Sequence, residues 1–339
     1  MGFRKIVNGN PAQKYDFVQN SETVRAFSEL DSVYSQFDGV AIATQENIFV
    51  AVSSASNSSS AAYSTDGITW TLTTMPAPDE WFAVTYGDGK FVAIAAGNRV
   101  GLSTDGITWT QATVPASHDW RALAYGDGKF VATSQYGGGP AAYSTDGIAW
   151  TEFLMPSSQR WNDLLYADGK FVAIPGLGSQ DRNVVAYSTN GITWTQTTMP
   201  SSARWNGLAY GDGKFIALSQ YNSGRGASST DGITWTHITV PLAGYTAVTH
   251  GDGKFVAMAR QGTGAYSTDG ITWTQTTVSN FTGAWNSVTY GYAGFVGVTD
   301  SNAAYSTDGI TWTEVSVAGG SWNKVVWTSS PGVKVVRFN

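Results

Sequence analysis

Residues 120–151 read "WRALAYGDGKFVATSQYGGGPAAYSTDGIAWT". The stretch holds two pairs of short apolar runs: "ALAY" and "KFVAT" joined by Gly-Asp-Gly, then "AAYST" and "IAWT" joined by Asp-Gly. Runs of about five residues separated by such dipeptides are hairpin signals. The stretch therefore reads as four antiparallel strands, with Asp-Gly supplying the positive φ angles of a type I′ turn in the second hairpin. The pattern recurs along the chain. The acidic position of "STDG" or a near copy falls at Asp66, Asp105, Asp146, Asn190, Asp231, Asp269 and Asp308. The first-hairpin motif starts at Trp81, Trp120, Trp161, Trp205, Tyr245 and Trp285, with weaker copies from Gly39 ("GVAIATQENIFVAV") and Trp322 ("WNKVVWTSSPGVKVV"). Four short strands every 40 or so residues, with no helical periodicity between them, is the pattern of a β-propeller.

Composition agrees with that reading. The 339 residues include 39 Gly, 14 Trp, 16 Tyr and 15 Phe but only 13% charged residues, which suits short strands and tight turns. A net charge of −6 without any Lys/Arg cluster argues against nucleic acid as a partner. With no cysteine, disulfides and thiolate metal sites are excluded. The start, "MGFRKIVNGN", lacks the apolar core of a signal peptide, and no stretch approaches a membrane span, so no membrane insertion is expected.

Counting first hairpins gives eight, and counting second hairpins by clear motif gives seven. The segment "YDFVQNSETVRAF" (Tyr15–Phe27) reads as a degenerate second hairpin, although residues 21–30 also fit a short capped helix. The expected fold is thus an all-β, eight-bladed propeller over residues 15–339, preceded by an arm at 1–14. C-terminal inner strands and N-terminal outer strands would close the ring. The alternative is a seven-bladed ring with an appended C-terminal hairpin.

"STDGITWT" (Ser64–Thr71) resembles the Asp-box (BNR) repeat of sialidase-like propellers, S-x-D-x-G-x-T-W, in a form lacking the residue between Asp and Gly. The paired "YGDGKFVAI…AYSTDGITWT" arrangement is similar to repeat proteins of bacteriophage tails and some bacterial surface proteins, and the likeness spans residues 39–337. It implies a fold. For activity it implies less, because propellers host unrelated functions. The Arg-Ile-Pro element of sialidases is absent, "FRKIV" at Phe3–Val7 being the nearest string, and no glutamate recurs beside a tyrosine convincingly. Glu80, His118 and Asp119 form the one acid/base grouping in the sequence.

In up-and-down blades the first and third turns share one face, and the middle loops and blade links share the other. The turns are nearly identical from copy to copy, while the loops and links differ. Asp66, Asp105, Asp146, Asn190, Asp231, Asp269 and Asp308 are accordingly read as structural turn residues, since Asn190 can hold amides but cannot act as an acid. Variable loops on a rigid scaffold are where recognition is placed. Tyr136 and Tyr221 follow Ser-Gln in two middle loops, Arg225 shares the loop of Tyr221, Arg99 and Arg182 occupy two more, and Arg121, Arg160 and Arg204 flank link tryptophans. Aromatic faces beside guanidinium forks suit a sugar. The expected function is a non-enzymatic binding module for cell-surface glycan or a protein receptor, needing no metal or cofactor, in a phage tail or other extracellular particle. The alternatives are a virion assembly component that contacts other virion proteins through its N-terminal segment, and a sialidase-like hydrolase.

Overall fold

The computed structural model describes residues 40–44, 47–135, 139–176, 182–221, 224–241, 243–259, 262–278, 284–317, 319–328 and 333–337. The segment Tyr15–Phe27, the 1–14 arm and Tyr136 lie outside them. The chain divides into two units. In one, β1 (Val40–Thr44) pairs antiparallel with β28 (Val333–Arg337) as a two-stranded ribbon.

The other unit, Glu46–Pro331, is the propeller. Three sheets each follow one repeat: β11–β14 (Trp161–Ala167, Lys170–Pro175, Arg182–Ser188, Thr195–Ala203), β15–β18 (Trp205–Gly211, Lys214–Ser219, Arg225–Ser229, Thr236–Thr239) and β19–β22 (Tyr245–Gly251, Lys254–Ala259, Thr263–Ser267, Thr274–Thr277). A fourth, β23–β26 (Trp285–Gly291, Gly294–Thr299, Asn302–Ser306, Thr313–Ser316), has the same order. The closing sheet joins the two ends of the unit: β27 (Trp322–Thr328) pairs with β2 (Ile48–Ser53), followed by β3 (Ser60–Ser64) and β4 (Thr71–Thr74). The sixth sheet is six-stranded, β5 to β10 (Trp81–Gly87, Lys90–Ser103, Thr110–Gly126, Lys129–Ser134, Pro140–Ser144, Thr151–Leu154). Its long strands β6 and β7 carry parts of two repeats. Ala96 pairs with Asp119 and Gly97 with His118, which fuses the two units into one hydrogen-bonded sheet. Counted by continuous sheets among the described residues, the propeller has six blades holding seven repeat units.

The eight-bladed ring is therefore not formed, nor is a C-terminal hairpin appended to a finished ring. The two weak first-hairpin copies are halves of one hairpin. "WNKVVWT" supplies its inner strand, and "NIFVAV" supplies the next, with Phe49 opposite Trp327 and Ala51 opposite Val325. The flanking apolar runs that made each half look complete, Val40–Thr44 and Val333–Arg337, pair with each other instead. Closure does use both ends of the chain, but in a ratio of one C-terminal strand to three N-terminal ones.

Packing follows from alternation along the second strand of each unit. In β6, Phe91, Ala93 and Ala95 face the preceding unit, in one core with Val50, Val52 and Met75; Val92 and Ile94 face the next, with Trp120 and Phe130. A strand buried on both faces must be apolar throughout, which is why "KFVAIA" shows no polar alternation. Among the described residues there are seven such apolar interfaces, the last joining Val296 and Val298 to Phe49, Ala51 and Trp322, so the packing runs around a closed ring. Fourth strands such as Thr71–Thr74 and Thr151–Leu154 are mostly exposed and end their sheets with threonines and Glu152 beside the exposed Leu72 and Leu154.

The turns differ from expectation in one respect. The positive-φ pair of a type I′ turn occurs in "GDG", with Asp88 at 47° and Gly89 at 73°, whereas in "STDG" only the glycine is positive. The second turn is held by side chains instead.

Candidate functional site

The first strands of successive units pack side by side around the axis. In each, the register slips between the leading Trp or Tyr and the residue two places on, so the residue after the aromatic is bulged out of its ladder. These bulged residues are Phe82, Arg121, Asn162, Asn206, Thr246, Asn286 and Asn323. The aromatics themselves are fully buried between sheets, as at Trp81, Trp120, Trp161, Trp205, Trp285 and Trp322, and serve packing.

Side chains link several neighbouring bulges. Asn162 Nδ2 donates to Asn206 Oδ1 (2.7 Å), and Asn206 Nδ2 donates to the Thr246 carbonyl (2.8 Å). Asn286 Nδ2 donates to the Trp322 carbonyl and to Asp300 Oδ1, both at 2.8 Å, and Asn323 Nδ2 donates to the Phe82 carbonyl (2.6 Å). The Arg121 guanidinium lies 3.4 Å from the centroid of the Phe82 ring and is held by Asp119, Nε to Oδ1 at 2.9 Å. One residue further along each strand most units have a small side chain (Ala83, Ala122, Gly207, Ala247, Ser287), but two have Asp163 and Lys324. Lys324 Nζ stands 3.9 Å from Asp163 Oδ1, although their strands β27 and β11 are not neighbours around the ring; the pair therefore reaches across the axis. Asp163 also accepts the amides of Leu164 (3.1 Å) and Leu208 (2.9 Å). Burial pushes its carboxyl above the usual range, against the pull of Lys324 and of those amides.

The variable loops share this end of the ring. Their first residues are tied to the link residue before each aromatic: Ala96 N to Glu80 O (3.0 Å), Gln135 N to Asp119 O (2.8 Å), Gly176 N to Arg160 O (2.9 Å) and Gln220 N to Arg204 O (2.8 Å). Four of the residues singled out in the sequence gather on the link 200–205. The Arg204 guanidinium sits 4.1 Å from the centroid of the Tyr221 ring, which is 52% exposed. Arg225 Nη1 donates to the Ser202 carbonyl (2.8 Å), and Arg182 pairs in register with Ala203 while its carbonyl accepts Trp205 Nε1 (3.0 Å). The others stand elsewhere. Arg99 is bound to Asp79 (2.7 Å) and the Pro78 carbonyl (2.9 Å), Arg160 is exposed on its own link, and Arg121 is one of the bulged residues. Glu80, His118 and Asp119 do not form a group: Glu80 takes the Ser56 hydroxyl, His118 Nε2 lies 3.5 Å from Glu152, and Asp119 holds Arg121.

On the opposite face the turn residues satisfy their own backbone. Asp66 Oδ1 accepts the amides of Ile68 (2.8 Å) and Thr69 (2.6 Å), and Ser64 Oγ accepts that of Gly67 (2.8 Å). Asp105, Asp146, Asp231, Asp269 and Asp308 repeat the pattern, and Asn190 Oδ1 takes Ile192 and Thr193 at 2.9 Å each. Among the described residues no three His, Cys, Asp or Glu side chains gather where a metal ion could be held.

Sequence reasoning passed over Asn162, Asn206, Asn286, Asn323, Asp163 and Lys324. A signal existed: "WN" occurs at four of the seven equivalent positions.

No family model matches the chain, and no curated protein matches it. Its fold is similar to that of virginiamycin B lyase from Staphylococcus aureus, with a TM-score of 0.63 and 12% identity over 82% of this chain and 99% of that one. It is also similar to a streptogramin B lyase structure (0.61, 11%, covering 76% and 94%) and to YCF48 bound to D1 peptide (0.56, 11%, covering 78% and 86%). The chain is thus a β-propeller resembling these BNR-like propellers, a likeness of fold alone.

Proposed function

We propose that this propeller is a non-enzymatic recognition module that takes cell-surface glycan on the face bearing the variable loops, as part of an extracellular particle such as a phage tail. The observation that carries this reading is the Tyr221 ring, half exposed and backed by the Arg204 guanidinium at 4.1 Å. The link tryptophans are buried and unavailable for stacking, but Tyr221 offers a preset flat surface, with Arg225 and Arg182 on the same link. A sugar ring stacks on such a surface, and its hydroxyls or carboxylate meet the guanidinium groups. Binding of the purified protein to a glycan array or to target cells, compared with Tyr221→Ala, tests this. The variant should lose roughly 1–2 kcal/mol, about tenfold or more in affinity, with an unchanged melting temperature. Undiminished binding by Tyr221→Ala would remove the patch from the proposal.

A second reading, an assembly platform, is supported by the other face. Ile68, Ile107, Ile148, Ile192 and Ile271 recur at the Asp-box turns with 37–60% of their surface exposed, more apolar repetition than a solvated turn requires. Of the proteins with similar folds, one is a lyase and another is bound to a peptide, so the fold by itself favours neither reading.

A further inference from the structure

The bulges and the residues beside them have hydrogen-bonding capacity that the fold does not consume. Both amide protons of Asn286 are spent, on Trp322 O and Asp300, and one of Asn323 is committed to Phe82 O. What Asn286 has left is its carbonyl oxygen, an acceptor; Asn323 keeps its carbonyl oxygen and one amide proton. Lys324 presents the complementary function. Its Nζ is 3.9 Å from Asp163, too far for a hydrogen bond, and it makes no other among the described residues. Arg121 binds Asp119 through Nε and Nη2, and its Nη1 has no partner among the described residues. Asp163 accepts two amides and keeps lone pairs besides.

We propose that Arg121, Asp163, Asn286, Asn323 and Lys324, at and beside the bulges of the inner strands, form a second binding site, distinct from the Tyr221 patch, for a neutral polyol such as a single sugar residue. Charge decides the class. Arg121 is matched by Asp119 and Lys324 by Asp163, and the further charge beside them, Asp300, is negative and bonded by Asn286 and Ser321 Oγ, so no excess positive charge attracts an anion. Donors and acceptors are both present, and a hydroxyl is the group that uses both at once. A ligand carboxylate would meet Asp163 and the carboxamide oxygens; a ligand ammonium would meet Lys324 and Arg121. A hydroxyl placed between Lys324 and Asp163 accepts from one and donates to the other, replacing a loose ion pair by two hydrogen bonds.

The test is nuclear magnetic resonance of the side-chain carboxamides of Asn286 and Asn323 in the full chain. It is titrated separately with glucose, galactose and N-acetylglucosamine, and with glucuronate as the acidic counterpart of glucose. At least one neutral sugar should shift these signals with a Kd of roughly 1–10 mM, and glucuronate should bind no tighter than glucose. Lys324→Met should weaken the neutral sugar about fivefold or more, while Tyr292→Ala, a 76% exposed side chain, should not. Should Lys324→Met disturb the fold, the doubly substituted Asp163→Asn/Lys324→Met chain, which leaves no unpaired charge, must show the same loss. The proposal is overturned if none of the three sugars moves either signal at about 100 mM, or if glucuronate binds over tenfold tighter than glucose with a steep salt dependence.

Discussion

At the Asp-box turns one side-chain oxygen gathers two amide protons, and what it must be is an acceptor rather than a charge. Asn190 Oδ1 holds Ile192 and Thr193 at 2.9 Å, against 2.8 Å for the corresponding pairs at Asp146. Charge makes the contribution depend on pH. The amides of Ile271 and Thr272 pull the Asp269 carboxyl down to about 2, and those of Ala149 and Ile148 lower Asp146. At Asp66, Asp105, Asp231 and Asp308 burial opposes ionisation, but the two amides and the serine hydroxyl together still leave the carboxyl below its ordinary value. A carboxyl lowered by folding contributes stability above its unfolded value of about 4, and that contribution disappears as the pH falls through its folded value, near 2 at Asp269. The protein should therefore lose stability between about pH 4 and pH 2. Converting Asp146 and Asp269 together to Asn should leave the melting temperature at pH 7 almost unchanged and flatten the acid decline. A large loss at pH 7 would mean that the negative charge itself holds the turn.

Between neighbouring inner strands the decisive contact is an aromatic ring lying on a glycine. A Cβ added to Gly126 would sit 1.9 Å from Tyr166 Cγ, and one added to Gly87 would sit 2.0 Å from Tyr125 Cγ. The Tyr166 ring in turn meets Phe171 of its own unit, with centroids 4.7 Å apart. Gly128, two residues on, needs its freedom for a different reason: its φ is +69°, and nothing lies within 4 Å of where a Cβ would be. The two substitutions to alanine separate close approach from backbone strain. Gly126→Ala must displace a ring and should cost towards the upper end of roughly 1–3 kcal/mol, whereas Gly128→Ala incurs left-handed strain of about 1 kcal/mol. Ala167 holds the position equivalent to Gly126 in one unit, packed near Tyr210, so a methyl is tolerated where the surrounding interface is built for it. Urea unfolding of both variants measures the difference, and a more damaging Gly128→Ala would refute the stacking account.

For the ring as a whole, β27 is the part through which closure is made or lost. Trp322 is fully buried in the core shared with Phe49, Val296 and Val298, and Asn323 reaches the Phe82 carbonyl of the next unit. Trp322→Ala should destabilise the propeller by about 3–5 kcal/mol. Ending the chain after Ser321 should do more, because it strips β2 of its ladder partner and leaves two apolar sheet faces in water. Thermal melting and resistance to proteolysis report both. Unaltered melting of the truncated chain would show that the ring is held without its C-terminal strand.

The repeat unit, its four strands and the positions of its two turns were legible from residues 120–151, because strand period, Gly-Asp turns and buried aromatics are local properties; the type I′ geometry expected at the second turn was found at the first. So was the Asp/Asn equivalence, since the side chain bonds amides two and three residues away. That both ends of the chain close the ring was legible, but the blade count and the strands that pair were not. "NIFVAV" and "WNKVVWT" each look like part of a complete hairpin, and only the pairing of Phe49 with Trp327, far apart in the chain, shows them to be two halves. The contacts at the bulges escaped for a related reason. Asn206 and Asn323 look like interchangeable members of a "WN" motif, but the acceptor of each lies on a different unit, and Lys324 meets Asp163 only because the ring brings β27 across the axis from β11. Local hydrogen bonding can be read along a chain; charge partners and shared cores belong to whichever strands the closed ring makes neighbours.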